Sequence, residues 1–296
     1  MAETTAIAWT RSSWNPWIGC TAVSIGCDHC YADAMDQARF SKTLGGGTKD
    51  KPVRHFGSGA PRYRTNAANW KAPLRWNKTA AATGERWTVF PSLCDPFDNE
   101  VPEEWRNDFW ALVNATPYLT YLLLTKRIGN ARKMLQFSQN DDPMPNVWLG
   151  ASVVNQDEAD RDIPKLLATP AAKRFVSYEP ALGPVDFSPY LAERTEIEGV
   201  QDERYRIDWI IVGGESSQGG AKARPFDIDW ARSTIMQCKG AGVPVFVKQV
   251  GSNPVWGDEA SSLGRALREG GYTLKDRAGA DPSEWPDDLR VQEFPT

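Results

Sequence analysis

From Trp87 to Val250 the sequence alternates short apolar runs with longer amphipathic stretches, and this rhythm limits the fold more than any other feature. The runs are rich in β-branched and aromatic residues and are mostly apolar throughout, which is typical of parallel strands covered on both faces. The alternation predicts an α/β protein, either a barrel or a doubly wound sheet. We expect strands at 87–93, 118–125, 147–153, 174–178, 209–213 and 243–250, and helices at 103–116, 129–137, 156–168 and 227–241.

The chain has 296 residues, which is near the upper limit for one hydrophobic core, and the rhythm runs through it once. We therefore predict a single domain over 1–296, a partial β/α barrel of parallel strands. Around the barrel we place four further segments, namely a cysteine loop at 14–32, a basic excursion at 39–86, a surface insertion at 186–206 and an extended C-terminal tail at 251–296. Trp285 and Phe294 are the expected anchors of that tail.

Nothing in the sequence indicates a membrane protein. No apolar run approaches the roughly 20 residues that a bilayer span needs. The first residues lack the basic start and apolar stretch of a secretory signal. We therefore expect a cytoplasmic, reducing compartment, where clustered cysteines more often bind metal than form disulfides.

Three of the five cysteines lie close together in WNPWIGCTAVSIGCDHCYA, residues 14–32. Pro16, Gly19 and Gly26 interrupt helix and strand there, so the thiols are expected on a loop. Three interpretations are open: cysteines with a structural role, as we assign to Cys94 and Cys238; a zinc site; or an iron–sulfur cluster held by three thiolates with one iron left open. Zinc requires a fourth ligand, and His29 and His55 are the two histidines of the chain. Clusters are normally held by four cysteines, so three suggest a free position for a cofactor or substrate.

Six stretches together resemble a phage-associated, uncharacterised family with a three-cysteine motif: the cysteine loop, LLLTKR, VWLGASVVNQ, VSYEPALGP, WIIVGGESSQGGAKARP and VPVFVKQVG. Through its loop and barrel the chain also resembles the radical S-adenosylmethionine superfamily. That resemblance implies that Cys20, Cys27 and Cys30 bind a [4Fe-4S] cluster and that S-adenosylmethionine is cleaved reductively to a 5′-deoxyadenosyl radical. The superfamily usually has an aromatic residue before the third cysteine, where this chain has His29. Tyr31 is therefore a candidate to contact the adenine.

Polar residues follow the predicted strands, where the active sites of α/β barrels lie. A single polar residue at a strand end is commonly just a solvated boundary, but six in succession indicate one rim. We predict catalytic roles for Asp95, Lys126 and Lys248, and cofactor-binding roles for Ser152 and Glu179.

Gly213-Gly214-Glu215 is the most informative of these strand ends. Two glycines let the backbone approach a ligand closely, and a carboxylate accepts hydrogen bonds from an ammonium group. The stretch resembles the superfamily's Gly-Gly-Glu signature for the methionine amine, which implies that Gly213, Gly214 and Glu215 bind the cofactor. Glu179 is the rival ligand of the amine, and Arg224 is a further rim cation.

The basic excursion stands out from a chain whose net charge is −4. Residues 39–86 contain eleven Lys or Arg against two acids, a balance of +9. Phe56, Tyr63, Trp70 and Trp76 are interleaved as candidate stacking groups. We predict contacts between a nucleic acid and this segment, with phosphates bound by Arg54, Arg62, Arg64, Lys71 and Arg75. The alternative is a solvated segment or a lid.

The resemblance implies a radical S-adenosylmethionine-type enzyme with an external reducing electron donor, and the basic segment favours a nucleic-acid base or nucleotide as its substrate. The alternative is a non-catalytic protein, stabilised by zinc or an iron–sulfur cluster, that binds nucleic acid or another partner.

Overall fold

The apolar runs of the sequence become β-strands in a computed structural model of the chain, which describes residues 2–137, 142–191, 206–217, 220–255 and 274–296. In chain order the strands are β1 (Ser12–Ser13), β2 (Trp17–Ile18), β3 (Tyr63–Arg64), β4 (Trp87–Phe90), β5 (Leu119–Thr125), β6 (Val147–Ser152), β7 (Lys173–Tyr178), β8 (Trp209–Gly213), β9 (Phe226–Asp227), β10 (Val245–Gln249) and β11 (Pro254–Val255). The α-helices are α1 (Tyr31–Ala38), α2 (Ala67–Trp70), α3 (Ala72–Thr83), α4 (Glu103–Asn114), α5 (Ile128–Met134), α6 (Gln156–Leu167), α7 (Ser188–Leu191) and α8 (Ile228–Ala241).

The order of the main sheet is β1-β4-β5-β6-β7-β8-β10. From one edge of this sheet to the other, each strand comes later in the chain than the strand before it, so the strand order does not reverse. A doubly wound sheet has a point where the strand order reverses, whereas a barrel does not. The expected α/β class, with the strand arrangement of a partial β/α barrel, is therefore confirmed.

The chain divides into two compact units, and the first comprises Met1–Ala151 with Thr169–Lys173. Its parallel strand pairs are β1 with β4, β4 with β5 and β5 with β6. Trp14 and Trp17, which precede the cysteines, are fully buried and pack on Phe109 of α4 with ring centroids 6.2 and 6.1 Å away. This aromatic core attaches the start of the cysteine loop to the sheet.

The basic segment 39–86 contains regular structure that the sequence analysis did not predict. Strand β3 pairs antiparallel with β2, and α2 and α3 follow. Helix α3 has Pro73 near its start and ends at Gly84, whose φ of 68° is favourable only for glycine. Pro73, Trp76 and Ala80 are buried along one face of the helix.

The second unit comprises Ser152–Ala168 with Arg174–Thr296. Strands β7, β8 and β10 run parallel, and every residue of β8 is buried. The expected anchors of the tail do pack here: Phe294 lies 5.5 Å from Trp209 and 5.2 Å from Phe246 between ring centroids, and Trp285 is buried. Residues 192–205 of the predicted insertion and 256–273 of the tail lie outside the described residues.

Candidate functional site

The cysteine loop is fixed at both ends. Gly19 donates its N–H to Leu93 O at 3.1 Å and has a φ of 121°, and a Cβ at this position would lie 2.3 Å from His55 O. A short 3₁₀ turn over Ile25–Cys27 is capped by Ser24, and Cys30 is the N-cap of α1. Because a Cβ at position 19 would overlap His55 O, glycine is required at the start of the loop.

Cys20, Cys27 and Cys30 are all half-buried and form no disulfide. Thiolates are the ligands that soft metals and iron–sulfur clusters prefer, so these three side chains are suitable donors for either. Over the described ranges, however, no group of three or more His, Cys, Asp or Glu side chains is gathered closely enough to hold a metal ion. The loop thus supplies the right donors without gathering them at one point.

Arg127 links Cys20 to the predicted catalytic Asp95. Its Nη1 donates to Cys20 Sγ at 3.1 Å and to Asp95 Oδ2 at 3.2 Å, and its Nη2 donates to Thr21 O. Asp95 also accepts hydrogen bonds from Thr125 Oγ1 at 2.8 Å and from the N–H of Phe97 at 2.9 Å. The ends of β4 and β5 therefore hold one thiol of the loop through a single guanidinium group.

Burial dominates the acid–base behaviour of this cluster. It raises the pKa of Cys20 to about 12, with Asp95 adding to the effect and Arg127 opposing it. Burial also raises the pKa of Asp95, which Arg127 again opposes. The Cys20 thiol must therefore lose a proton when it binds a metal, and Arg127 is the group that favours this loss.

Two further predicted residues lie near the loop. Tyr31, the first residue of α1, donates its hydroxyl proton to Ser92 O and is 40% exposed. Lys126 is half-buried and forms no ion pair within the part of the chain that the structure describes. Its neighbour Arg127, which the sequence analysis did not select, makes the contacts instead.

Cys94 lies beside the start of the cysteine loop. Gly19 and Cys94 form an isolated parallel β-bridge, and burial raises the pKa of Cys94 well above its usual value. Cys238 is remote in sequence and fully buried in α8, where burial raises its pKa to about 12. Cys238 is therefore a suitable control when the cysteines of the loop are replaced.

His55 forms a buried pair with Asp36 of α1. The His55 Nδ1 and Asp36 Oδ1 atoms lie 2.7 Å apart, and the N–H of His55 donates to Asp36 Oδ2 at 3.0 Å. Arg54 Nε also donates to Asp36 at 3.0 Å. These contacts fasten the helix that follows Cys30 to the basic segment.

In the second unit, Glu179 and Lys248 form a pair at the strand ends. Glu179 follows β7, and its Oε1 lies 3.0 Å from Lys248 Nζ. That oxygen is buried and accepts no geometrically sound hydrogen bond from the described residues. Ser177 Oγ donates to the other carboxylate oxygen at 3.3 Å, and Ser152 Oγ donates to Glu179 O at 3.3 Å.

A β-bulge and a glycine accommodate the side chains of Lys248 and Glu179. The pairing of β10 with β8 shifts register between Val247 and Gln249, so Lys248 is the extra residue of a bulge. A Cβ on Gly213 would lie 2.8 Å from Glu179 Oε1 and 3.1 Å from Gln249 O. Gly213 therefore leaves the space that the Glu179 carboxylate occupies.

Glu215, the predicted ligand of the amine, is held by Arg224. Arg224 Nη2 donates to Oε1 at 2.6 Å, while its Nε and backbone N–H donate to Oε2 at 3.2 and 2.9 Å. Gly214 is tightly packed, because a Cβ there would lie 2.6 Å from Val250 O. Gln249 Nε2, another contact absent from the sequence analysis, donates to Gly214 O at 2.7 Å. Gly214 and Gln249 therefore both stabilise the turn that carries Glu215.

The cations of the basic segment divide into those that pair with a carboxylate and those that pair with none among the described residues. The Arg62 side chain is 1% exposed and donates to Asp98 at 2.8 Å, so it cannot contact a phosphate in this structure. Arg54 pairs with Asp33 and Asp36, and Arg64 pairs with Asp108. Of the predicted phosphate contacts, Lys71 and Arg75 are the exposed residues.

The aromatic residues predicted to stack on bases are also used within the fold. Trp76 is buried and stacks on Trp87 with ring centroids 6.1 Å apart. Arg64 covers Trp70 at 4.5 Å from the ring centroid. Phe56 and Tyr63 pack against a small core at Ile18 and Leu93. The expectation that Trp76 stacks on a base is therefore wrong for this structure.

The fold and these groups define an α/β protein with a parallel sheet, a loop of free thiols and polar pairs at its strand ends. The chain belongs to the family described as "Protein of unknown function (DUF5131)", whose family model matches residues 4–276. No curated protein and no solved structure matches the chain. Among the described residues, no helix has both the length and the apolar character that crossing a bilayer requires.

Proposed function

We propose that this chain is a radical S-adenosylmethionine-type enzyme of a reducing, cytoplasmic compartment, acting on a nucleic-acid base or nucleotide. The observation that carries the proposal is the set of three half-buried thiols on one loop, with Arg127 donating to Cys20 Sγ at 3.1 Å. Such a donor set suits an iron–sulfur cluster whose fourth position is open. Together with S-adenosylmethionine, the cluster would supply reductive cleavage of the cofactor, with the electron coming from an external donor.

Glu179 and Lys248 are candidate ligands of the cofactor's amino-acid moiety. An amino acid carries an ammonium and a carboxylate, and Glu179 beside Lys248 offers the two opposite charges. The carboxylate of Glu215 already accepts three hydrogen bonds from Arg224. The buried Oε1 of Glu179 has acceptor capacity left. We therefore favour Glu179 over Glu215 as the ligand of the amine.

A second candidate function is a non-catalytic protein that binds nucleic acid and is stabilised by zinc or an iron–sulfur cluster. Lys71 and Arg75, which are exposed and form no ion pair with a described residue, favour this alternative. It needs no cofactor beyond the metal group.

Metal analysis of protein purified without oxygen tests the proposal. We expect a brown protein containing iron and sulfide. Replacing Cys20, Cys27 or Cys30 with Ser should abolish iron retention, because each would remove a thiolate ligand. Cys94→Ser should retain the iron, and Cys238→Ser is the matched control because its thiol is buried in α8.

A colourless protein with zinc would support the non-catalytic alternative. Loss of iron in Cys94→Ser together with its retention in Cys20→Ser would show that the ligand assignment is wrong. Circular dichroism of each variant separates loss of the cluster from loss of the fold.

A further inference from the structure

Three cations lie in a row on the exposed face of α3. Lys71 is the N-cap of the helix, and Arg75 and Lys78 follow at one and two turns. All three side chains are exposed, and none forms an ion pair with a described residue. At 3.6 residues per turn the three positions fall within about 60° of the helix circumference and span about 10 Å along its axis.

The direction of this row is fixed by packing on the opposite side of the helix. Pro73, Trp76 and Ala80 are buried, so α3 cannot rotate its cations towards the core. The sequence of α3 contains no acid, and Glu3, which accepts a hydrogen bond from Trp76 Nε1 at 3.1 Å, lies with the buried tryptophan. The row is therefore a fixed positive surface.

This surface differs from the rest of the basic segment. Arg54, Arg62 and Arg64 each have carboxylate partners, so their charges are already compensated. Within the described part of the chain, the charge of Lys71, Arg75 and Lys78 is left uncompensated and can attract an external anion.

Two exposed apolar side chains belong to α3 or lie next to it. Leu74 is 41% exposed and Tyr118 is 59% exposed. The N–H of Tyr118 donates to Asn77 Oδ1 at 2.8 Å, which places Tyr118 next to α3. Proteins that bind single-stranded nucleic acid combine a row of cations for the phosphates with exposed aromatic rings on which bases stack.

We propose that the α3 face, defined as Lys71, Leu74, Arg75, Lys78 and Tyr118, binds the backbone of single-stranded nucleic acid, with a base stacked on Tyr118. This inference deepens the nucleic-acid part of the proposed function. It does not depend on the cluster, because every residue of the α3 face belongs to α3, to its N-cap or to the segment before β5.

Fluorescence anisotropy with a labelled single-stranded oligonucleotide of about 20 nucleotides tests the proposal over a series of salt concentrations. We expect log affinity to fall linearly with log salt. The triple variant Lys71→Gln, Arg75→Gln, Lys78→Gln should reduce the steepness by about 2, since each phosphate contact on a single strand contributes about 0.7. It should also weaken binding at low salt by at least about tenfold.

The matched control is Lys42→Gln, Lys49→Gln, Lys51→Gln, which removes the same charge from the same basic segment. It should change the salt dependence little. Tyr118→Ala should weaken binding about tenfold while leaving the slope unchanged, because stacking releases no counterions.

Absence of saturable binding by the unmodified protein would overturn the proposal, as would an equal loss in the control triple variant, which would indicate a net-charge effect. A duplex bound as tightly as the single strand, with no effect of Tyr118→Ala, would also overturn it. Iron content is measured in the same samples. Iron-free protein that binds the oligonucleotide would refute the cluster and the enzyme and keep the α3 face. Iron-containing protein that fails to bind would keep the cluster and overturn the α3 face.

Discussion

At the scale of single residues, pairing decides which polar groups are available for chemistry. Asp95 is engaged by Thr125 and Arg127, and Glu215 by Arg224. Glu179 keeps a buried oxygen without a hydrogen bond from the described residues. The sequence could indicate that these carboxylates follow strands. It could not show which of them already pair with hydrogen-bond donors of the folded chain.

Arg127 is the clearest residue that the sequence analysis missed. It contacts Cys20 across 107 positions of the chain, a separation at which no local pattern relates two residues. The signal was present in LLLTKR, where Lys126 and Arg127 are adjacent after β5. Only the direction of each side chain distinguishes them.

We predict that Arg127→Gln lowers the free energy of unfolding by about 3 kcal/mol near neutral pH, because it leaves the buried Asp95 charge without its guanidinium partner. Burial already raises the pKa of Asp95 above its ordinary value of 3.8, with Arg127 opposing the rise. The folded variant should therefore bind a proton at higher pH than the unfolded chain does. Its deficit should shrink as the pH falls through the folded-state pKa of Asp95.

Urea unfolding at neutral and mildly acidic pH measures this deficit. Lys126→Gln is the control, with an expected change within about 0.5 kcal/mol. A deficit that grows on acidification would contradict the assignment to Asp95.

At the scale of elements, the strands are where the sequence was most informative. The run predicted at 209–213 forms β8 with the same bounds, and the other five runs form strands that differ at their ends by up to three residues. Continuous apolar runs are easily recognised because parallel strands are covered on both faces. Strand β1 was missed because its two serines carry no hydrophobic signal.

Helices α1 and α3 were missed for different reasons. Helix α1 has only eight residues and begins directly after Cys30. In α3 the apolar positions Trp76 and Ala80 do follow helical spacing, but the surrounding cations made the segment look like a charge run. A basic stretch and an amphipathic helix are compatible, and here they coincide.

The junction of β8 and β10 gives a prediction at this scale. Gly213→Ala would place a Cβ 2.8 Å from Glu179 Oε1 and 3.1 Å from Gln249 O, so the carboxylate and the backbone of β10 must shift away from the added methyl group. We expect the free energy of unfolding to fall by about 1–3 kcal/mol.

Gly240→Ala is the control because its added Cβ would meet no atom within 4 Å in α8. There the gain in helix propensity should raise the free energy of unfolding by about 0.5–1 kcal/mol. Thermal and urea unfolding of both variants measure these changes. Equal changes in the free energy of unfolding would show that the close approach at Gly213 has no consequence for stability.

At the scale of the whole molecule, the proposed function has parts that different regions of the chain carry. We propose that the cysteine loop would retain the iron and that Glu179 and Lys248 would bind the cofactor's amino-acid moiety. The sequence points to both sets of residues as candidates because cysteine spacing and strand-end polarity are local signals. It could not assign their contacts, since these depend on the packing of distant segments.

The two parts can be separated in the intact protein. We predict that Lys248→Met retains iron and weakens S-adenosylmethionine binding by about 10- to 150-fold, the effect of losing one hydrogen bond to a charged group, about 1.5–3 kcal/mol. Calorimetry on reconstituted protein measures the affinity, and chemical analysis measures the iron. Lys239→Met is the matched control, because it removes the same charge from an exposed position of α8 in the same unit. If Lys239→Met weakened binding as much, the effect would be one of net charge. If Lys248→Met lost its iron with the fold intact, Lys248 would have to be assigned to cluster retention instead.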